Sequence, residues 1–524
     1  MQPIKMTFLM AILLMIGFYQ PHGYGKNLED FLEASKEELT KEDLEHIGQL
    51  VEKTSPDKLM NMLLDSPRHF SLRRLLAKNW DFLSRKEQSK MQLITGQMKF
   101  DQYLKAFSHR PQIADSFIAR AIARSIWGTW DKVEIPGAYC SDGSPYKIFV
   151  SDAVGYFNKA KENHKKLLVY MEPGGACFDY ESCLGKNGMR GAVNTKGIPD
   201  NYMNLGAFLS KNKKGGSPMA AASPLILYNN PSGYHTKTSR WNRVFMPYCT
   251  GDVHMGNKVA VYKDPKGEGP DLTYRHFGAI NVEKSIAYLK ERYQKPKEMM
   301  ITGCSAGGTG ALGNYHFFRR ELQPEKSALL ADSGPIFPAP GRGNQYPLQK
   351  KIKQAWGLSY VIDRLTSDFD DLIYTSDFGI INKELAKKYP QDIIAATLFK
   401  RDLKFSTYSY ADFYDLDDKN PRDKERILKL WAEDIENLTA QYDTMENLVY
   451  YIPYMRNIFD SHCTTLLTYA GTEVQKSGVK LDDFINDILE GNRVLSYEEP
   501  KNPDDRKTKD LLSWLIQKFF KYDP

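Results

Sequence analysis

From about residue 130 onward, short apolar runs alternate with segments of helical periodicity, and this alternation restricts the folds open to the chain. Several runs are apolar at every position, as in strands buried on both faces of a sheet. Strands that alternate with helices predict an α/β fold with a mostly parallel sheet covered on both faces. The predicted strands are 146–150, 166–171, 243–248, 298–302, 327–331, 403–410 and 447–454.

Two other stretches carry helical patterns. Residues 26–125 repeat apolar side chains at spacings of three and four, without strand-like alternation. They predict an N-terminal all-helical module, which we expect to dock on the domain that follows or on an unknown partner. Residues 344–400 predict a helical insertion that caps the sheet within a main domain of 126–524.

The N-terminus has the pattern of a secretory signal. Lys5 precedes an apolar run over 6–18, and small and polar residues follow as far as Gly25. The run is shorter than the roughly 20 apolar residues that a membrane span needs. We predict a signal peptide over 1–25, a secreted or periplasmic protein, and no stable membrane span after its removal; a permanent anchor is the alternative.

Charge and cysteine content narrow the classes of partner. The 71 basic and 65 acidic residues give a net charge of +6 without a long basic run, which argues against nucleic acid. The six cysteines, an even number in an exported chain, favour disulfides. Neither CxxC nor HExxH occurs, which argues against a metal site.

A serine between glycines follows the predicted strand 298–302. Residues 303–307, GCSAG, match G-x-S-x-G between a strand and a helix, the context of a nucleophile elbow that presents Ser305. The helix N-terminus would place the Ala306 N–H beside an oxyanion. Residues 308–313 also match the dinucleotide pattern GxGxxG, but these glycines lie inside the helix, and no Lys follows them as in a phosphate-binding loop.

A nucleophilic serine needs a base, and only two of the ten histidines follow Ser305. His316 lies eleven residues along the same predicted helix, roughly 16 Å away, and cannot reach it. His462, in DSHCTTL, lies just beyond the last predicted strand. We therefore predict His462 as the base, although a lone histidine is more often structural.

The acid that orients His462 is less well defined. In the chain order nucleophile, acid, histidine, it should follow the penultimate strand, and Asp412 follows the predicted one. Asp402 precedes that strand, Asp332 follows an earlier one, and Asp460 is too close in sequence to orient the ring. We predict Asp412, whose carboxylate would hold the tautomer and stabilise the imidazolium.

A second glycine-rich segment, 173–176, follows the predicted strand 166–171. Pro-Gly-Gly-Ala would let backbone N–H groups approach a substrate oxygen, as the second half of an oxyanion hole requires. An ordinary glycine-rich turn is the alternative.

Four motifs together resemble the pectin acetylesterase family, which includes the Notum carboxylesterases. The resemblance covers roughly 126–520, with the motifs in the family's order, and leaves out 27–125. The long block PYCTGDVHMGN is its most specific part. The motifs are EPGGACFDYESC, WNRVFMPYCTGDVHMGN, GCSAGGTGA and DSGP.

The resemblance implies an α/β-hydrolase fold and a serine triad supported by backbone N–H groups, with no cofactor and no metal. The site residues that it implies coincide with those predicted from the sequence pattern. For Asp252 and His254, in the block PYCTGDVHMGN, we expect a structural role, with substrate contact as the alternative. The implied triad is Ser305, Asp412 and His462, and the implied oxyanion hole is Gly175, Ala176 and Ala306.

The resemblance also implies disulfides. It pairs Cys140 with Cys249, and Cys177 with Cys183. The remaining two, which directly flank the predicted nucleophile and base, depart from the family's pattern. We expect Cys304 and Cys463 to be buried thiols, with a bridge across the site as the alternative.

These expectations combine into an exported serine hydrolase of carboxylic esters, with acetyl groups on a glycan as the expected substrate. A lipid-type deacylase acting on longer chains uses the same chemistry, as would a thioesterase or an amidase. A non-catalytic binding protein on a hydrolase scaffold is the alternative from another class.

Overall fold

The computed structural model describes residues 128–153, 162–185, 191–203, 223–227, 236–339, 347–369, 377–456, 459–466, 469, 471–491 and 494–500. The chain forms two compact units, and all elements below belong to the one made of Trp130–Asp200, Pro218–Ile226 and His235–Pro524. The other comprises Met1–Thr129, Asn201–Ser217 and Leu227–Tyr234. The predicted signal peptide and helical module lie outside the described residues.

The described elements alternate as the sequence predicts. The strands are β1 Asp131–Tyr139, β2 Pro145–Ser151, β3 Lys166–Met171, β4 Asn242–Met246, β5 Lys258–Tyr262, β6 Leu272–His276, β7 Glu298–Cys304, β8 Lys326–Asp332, β9 Ile393–Thr397, β10 Leu448–Ile452 and β11 Tyr497–Glu498. The helices are α1 Tyr180–Cys183, α2 Gly278–Arg292, α3 Ala306–Leu322, α4 Pro347–Trp356, α5 Ser359–Asp368, α6 Ile380–Lys388, α7 Leu403–Tyr414, α8 Pro421–Tyr442 and α9 Leu481–Glu490.

The described residues of this unit form a nine-stranded sheet in the order β1-β2-β4-β3-β7-β8-β9-β10-β11. The strands from β4 to β11 in that order pair in parallel, and the pairs β1–β2 and β2–β4 are antiparallel. The predicted mostly parallel α/β fold is confirmed. Because the carboxyl ends of parallel strands meet at one edge, the loops after β3, β7, β8, β9 and β10 lie close enough to share a site.

The central strands show why these residues form a sheet rather than helices. Leu167, Leu168 and Val169 in β3 are fully buried, as are Leu329 and Leu330 in β8. Consecutive apolar residues suit a strand covered on both faces. A separate antiparallel ribbon, β5–β6, lies outside the sheet.

The prediction of a strand over 403–410 is wrong, because this stretch lies in α7. The Asp402 side chain accepts a hydrogen bond from the Phe405 N–H at 2.9 Å and caps the helix. The aromatic and hydroxyl side chains of KFSTYSY favour a strand on propensity, but tertiary packing decides otherwise.

The predicted helical insertion 344–400 contains α4, α5 and α6, but it also contains β9, a strand of the central sheet. The penultimate strand before His462 is therefore β9 rather than 403–410. Among the residues that the structure describes, no helix has both the length and the apolar character needed to cross a membrane.

Candidate active site

Ser305 occupies the sharp turn between β7 and α3. Its backbone has φ 54° and ψ −124°, in the positive-φ region that residues with a Cβ rarely adopt. The Ser305 N–H donates to the Asp332 carbonyl at 2.8 Å, and its own carbonyl accepts the Thr309 N–H at 3.0 Å. Backbone strain held by the surrounding structure is typical of functional positions.

The glycines of this turn are required by close backbone approaches. A Cβ on Gly303 would lie 2.4 Å from the Met171 carbonyl oxygen, and one on Gly307 would lie 2.0 Å from the same atom. A Cβ on Gly308 would lie 2.4 Å from the Asp332 carbonyl oxygen. The G-x-S-x-G pattern thus lets the elbow close against β3 and β8.

The glycines further along α3 serve helix packing. A Cβ on Gly310 would lie 2.8 Å from the Val253 carbonyl, and one on Gly313 would lie 2.4 Å from Met255 Sδ. These contacts account for the match to GxGxxG without a dinucleotide.

His462 and Asp402 form a buried pair. The Nδ1–H of His462 donates to Asp402 Oδ2 at 2.7 Å, and the two side chains are only 6% and 0% exposed. Burial raises the pKa of Asp402, while the charge and hydrogen bond of His462 act in the opposite direction. With Nδ1 engaged in this way, the Nε2 of the neutral imidazole is left as the proton acceptor.

In the structure, His462 pairs with Asp402 rather than with Asp412, the acid that the sequence pattern predicts. Asp412 is an exposed residue in the last turn of α7, and the carboxylate that the structure brings to His462 is that of Asp402, five residues after β9. Asp402 follows the true penultimate strand, so the chain-order argument holds once β9 is recognised.

The loop that carries His462 is fastened to the end of β8. Asp332 Oδ1 accepts from the Thr464 N–H at 2.8 Å and its hydroxyl at 3.0 Å, and Oδ2 accepts from the Thr465 N–H at 2.8 Å and its hydroxyl at 2.6 Å. The Cys463 N–H donates to Ser333 Oγ at 3.0 Å. The DSGP motif thereby positions the histidine loop, a role that the sequence argument missed.

Cys304 and Cys463 form a disulfide, with their Cα atoms 5.7 Å apart. The expectation of two thiols is wrong, since the loop after β10 lies directly against the end of β7. Both sulfur atoms and a ring nitrogen of His462 lie within 4.8 Å of one another. The bridge joins the residue before Ser305 to the residue after His462.

The glycine-rich loop after β3 runs beside this turn. Gly175 has φ 71° and forms a β-bridge with Ala192, and Ala176 is buried. A Cβ on the preceding Gly174 would lie 2.1 Å from Val193 Cγ1, so only glycine fits there. The Ala306 N–H, the first of α3, is among the donors that a helix leaves without an intrahelical partner.

Two disulfides and Trp356, a residue of the 344–400 insertion, stabilise the region around the glycine-rich loop. The structure contains both bridges that the resemblance implies, Cys177–Cys183 and Cys140–Cys249, with Cα separations of 4.9 and 5.2 Å. The Trp356 indole N–H, at the end of α4, donates to the Cys177 carbonyl at 2.7 Å. The insertion therefore contacts the predicted oxyanion loop directly.

Asp252 and His254 have structural contacts in the core. Asp252 accepts the N–H groups of His254 and Gly256 at 3.2 Å and that of Gly278 at 2.8 Å, and burial raises its pKa to about 7. His254 Nε2–H donates to the Glu172 carbonyl at 2.9 Å, and burial lowers the pKa of His254 to about 4. Both side chains order the block 248–257 against α3.

Aromatic rings connect the glycine-rich loop with the histidine. Phe178 packs against Phe413 and Tyr408, with centroids 6.0 and 6.3 Å apart. Tyr408 packs against Phe405 at 6.2 Å, and Phe405 lies 6.3 Å from His462. The Tyr408 hydroxyl is buried without a hydrogen-bond partner among the described residues. We call Phe178, Phe405, Tyr408 and Phe413 the aromatic strip.

A strained serine between strand and helix, with a histidine and an acid supplied by the loops after later parallel strands, defines the α/β-hydrolase class. Residues 129–361 match the Pectinacetylesterase family model. Over these residues the chain is similar to the pectin acetylesterase family.

Two sequence relatives and one solved structure illustrate what the chain is similar to. Human palmitoleoyl-protein carboxylesterase NOTUM is 27% identical over 35% of this chain and 30% of its own length. Pectin acetylesterase 4 of Arabidopsis thaliana is 26% identical over 39% and 42%. The chain thus spans less than half the length of these relatives. The structure of the Wnt deacylase Notum from Drosophila aligns with a TM-score of 0.44 and 16% identity, over 71% of this chain and 96% of that one.

Proposed function

We propose that this protein is a serine hydrolase of carboxylic esters, with Ser305 as nucleophile, His462 as base and Asp402 as the acid that orients it. The proposal depends above all on the buried His462–Asp402 pair beside the Ser305 turn. The Pectinacetylesterase match and the carboxylesterase and acetylesterase relatives support the same reaction class.

The chemistry follows from the arrangement of these groups. His462 takes the proton from the Ser305 hydroxyl as the oxygen attacks the ester carbonyl, and Asp402 stabilises the imidazolium that forms. The N–H groups of Gly175, Ala176 and Ala306 would stabilise the oxyanion, aided by the positive end of the α3 dipole. Proton return to the leaving alcohol, then attack by water, releases the acid.

For the substrate we propose acetyl or another acyl group on a glycan. Among the described residues, the Tyr408 hydroxyl in the aromatic strip has no hydrogen-bond partner. It is buried, so a substrate hydroxyl would reach it only if the strip opens, and that pairing would recover the cost of its burial. Apolar rings around a few polar groups are the usual lining of a ligand site.

A deacylase of longer chains is the second candidate. The aromatic strip offers apolar surface between the predicted oxyanion loop and the base, and the NOTUM relatives are named as palmitoleoyl-protein carboxylesterases. We further propose that the protein works outside the cytosol, because its three disulfides form and persist in oxidising compartments.

Labelling with a fluorophosphonate probe tests the nucleophile. Wild-type protein should be labelled at one site, and Ser305→Ala should lose the label, with the exposed Ser367→Ala as a matched control that keeps it. Folded wild-type protein that is not labelled would support a non-catalytic binding protein instead. A series of p-nitrophenyl esters from acetyl to palmitoyl then separates the two substrate classes by the chain length with the highest kcat/KM.

A further inference from the structure

The disulfide beside the proposed base brings together three atoms that bind soft metal ions. Cys304 Sγ, Cys463 Sγ and a ring nitrogen of His462 lie within 4.8 Å of one another. All three residues are buried, Cys304 and Cys463 to 1% and 0% exposure. As long as the sulfur atoms are bonded to each other, they are not available as thiolate ligands.

Reduction changes the chemistry of this cluster. A dithiol reductant transfers two electrons and two protons to the bridge, giving two thiols, and is itself oxidised to a cyclic disulfide. Two thiolates and an imidazole, with a fourth position open, form a common zinc ligand set. Ligands around tetrahedral zinc lie roughly 3.3 to 3.8 Å apart, so shifts of about 1 Å would complete the site.

The Asp402 contact supports the same assignment. Metal-bound histidines usually donate their other ring N–H to a carboxylate, which fixes the tautomer. His462 Nδ1–H already donates to Asp402 at 2.7 Å. The nitrogen left for a metal is Nε2, which is also the atom that must take the proton from Ser305.

We propose that opening the Cys304–Cys463 bridge creates a Cys₂His site for Zn²⁺, and that the bound ion inactivates the enzyme by occupying the base. The loss of activity rests on the proposed function, whereas metal binding does not. The bridged protein hydrolyses esters in the presence of zinc, and the reduced protein does not.

A second cluster of the same composition has to be removed before the test. Cys177, Cys183 and His276 also lie within 4.8 Å of one another. His276 has both nitrogens engaged, Nδ1 with the Thr250 carbonyl at 2.9 Å and Nε2 with the Tyr262 hydroxyl at 2.8 Å. Cys177→Ser/Cys183→Ser removes this cluster and leaves the one beside Ser305 intact, so it is the background for the test.

The experiment compares bridged and reduced protein in that background. Dithiothreitol opens the bridge, with refolding from urea under dithiothreitol if the native protein resists, and alkylation with mass spectrometry counts the thiols. Co²⁺ should then bind one ion per chain with a thiolate-to-metal charge-transfer band. One equivalent of Zn²⁺ should displace it and lower ester hydrolysis at least tenfold, and a chelator should restore the activity.

Two comparisons make the result decisive. Cys304→Ser/Cys463→Ser in the same background should give no charge-transfer band, and equimolar Zn²⁺ should leave its remaining activity unchanged. Reduced protein with its thiols counted and no charge-transfer band would overturn the proposal, as would equal zinc inhibition of bridged and reduced protein. If no ester is hydrolysed even by bridged protein, the proposed function fails while the cobalt band still decides whether the site exists.

Discussion

The carboxylate of Asp402 joins the start of α7 to the imidazole of His462, 60 residues further along the chain. Its Oδ1 accepts the Phe405 N–H at 2.9 Å, and its Oδ2 accepts the His462 Nδ1–H at 2.7 Å. One buried side chain therefore has two structural tasks, and substitutions can separate them.

Asp402→Asn should lower kcat for p-nitrophenyl acetate by about 10²- to 10⁴-fold, because an amide favours the wrong histidine tautomer. Asparagine is as good a helix N-cap as aspartate, so the melting temperature should change little. Asp412→Asn, on the exposed side of α7, is the matched control and should keep nearly full activity. The opposite ranking of the two variants would restore Asp412 as the acid.

Asp332→Asn should destabilise the loop that carries His462. The amide nitrogen would face donors from Thr464 or Thr465 that now share the carboxylate, at a cost of about 1 to 3 kcal/mol. Urea unfolding should show this loss, and kcat should fall because the base is less well positioned. Asp460→Asn breaks the 3.1 Å pair between Lys404 and an exposed carboxylate, and it should lower the unfolding free energy by less than Asp332→Asn. Equal effects of the two variants would argue against the anchoring role.

Gly307→Ala should disrupt the elbow. Its Cβ would lie 2.0 Å from the Met171 carbonyl oxygen, and backbone atoms on both sides must move. We expect a loss of about 3 kcal/mol or more, measured by urea unfolding, together with loss of fluorophosphonate labelling. Gly478→Ala meets nothing within 4 Å and differs only by its φ of +70°, so it should cost about 1 kcal/mol and keep the label.

His276 should make the unfolding free energy depend on pH. Burial lowers its pKa in the folded protein to about 4, below the unfolded value of about 6.5. Between these values the unfolded chain binds a proton that the folded one does not, so this contribution is present above pH 6.5 and is lost as the pH falls toward 4. The expected loss is about 3 kcal/mol.

His276→Gln isolates this contribution from that of Asp252, whose raised pKa of about 7 acts in the opposite direction. The unfolding free energy of wild type minus that of the variant should fall as the pH is lowered through this range. A difference that is constant with pH would mean that His276 does not titrate in this way.

Tyr408→Phe tests the proposed glycan contact. This hydroxyl has no partner among the residues that the structure describes, and its removal should raise KM for an acetylated oligosaccharide several-fold because a substrate hydroxyl loses its partner. The KM for p-nitrophenyl acetate, which offers no such hydroxyl, should not change. A higher KM for both substrates, or for neither, would count against a sugar-binding role for this residue.

The sequence was sufficient for those parts of the site that depend on local pattern and chain order. The glycines around Ser305 are required by backbone approaches that G-x-S-x-G reflects, and His462 follows from elimination. The carboxylate that contacts His462 was not predicted, because β9 was taken as part of a helical insertion and α7 as a strand. Predicting Asp402 as the N-cap of a helix, with its side chain accepting the Phe405 N–H, would have identified α7 as a helix and placed Asp402 after β9.

The Cys304–Cys463 bridge depends on tertiary structure in a way that no local pattern reports. The two residues are 159 positions apart, and only the meeting of β7 with the loop after β10 brings them together. The same is true of Asp332, which is a strand-end residue in sequence and an anchor for Thr464 and Thr465 only in the fold.

The double engagement of Asp402 couples local folding to reactivity. If the first turn of α7 unfolds locally, the Asp402 carboxylate also loses the position in which it orients the His462 imidazole. Local unfolding of the helix would therefore remove the support for the proposed base at the same time. The exchange rate of the Phe405 amide hydrogen would thus measure the fraction of molecules in which Asp402 is in place to orient His462, although Phe405 takes no part in the reaction.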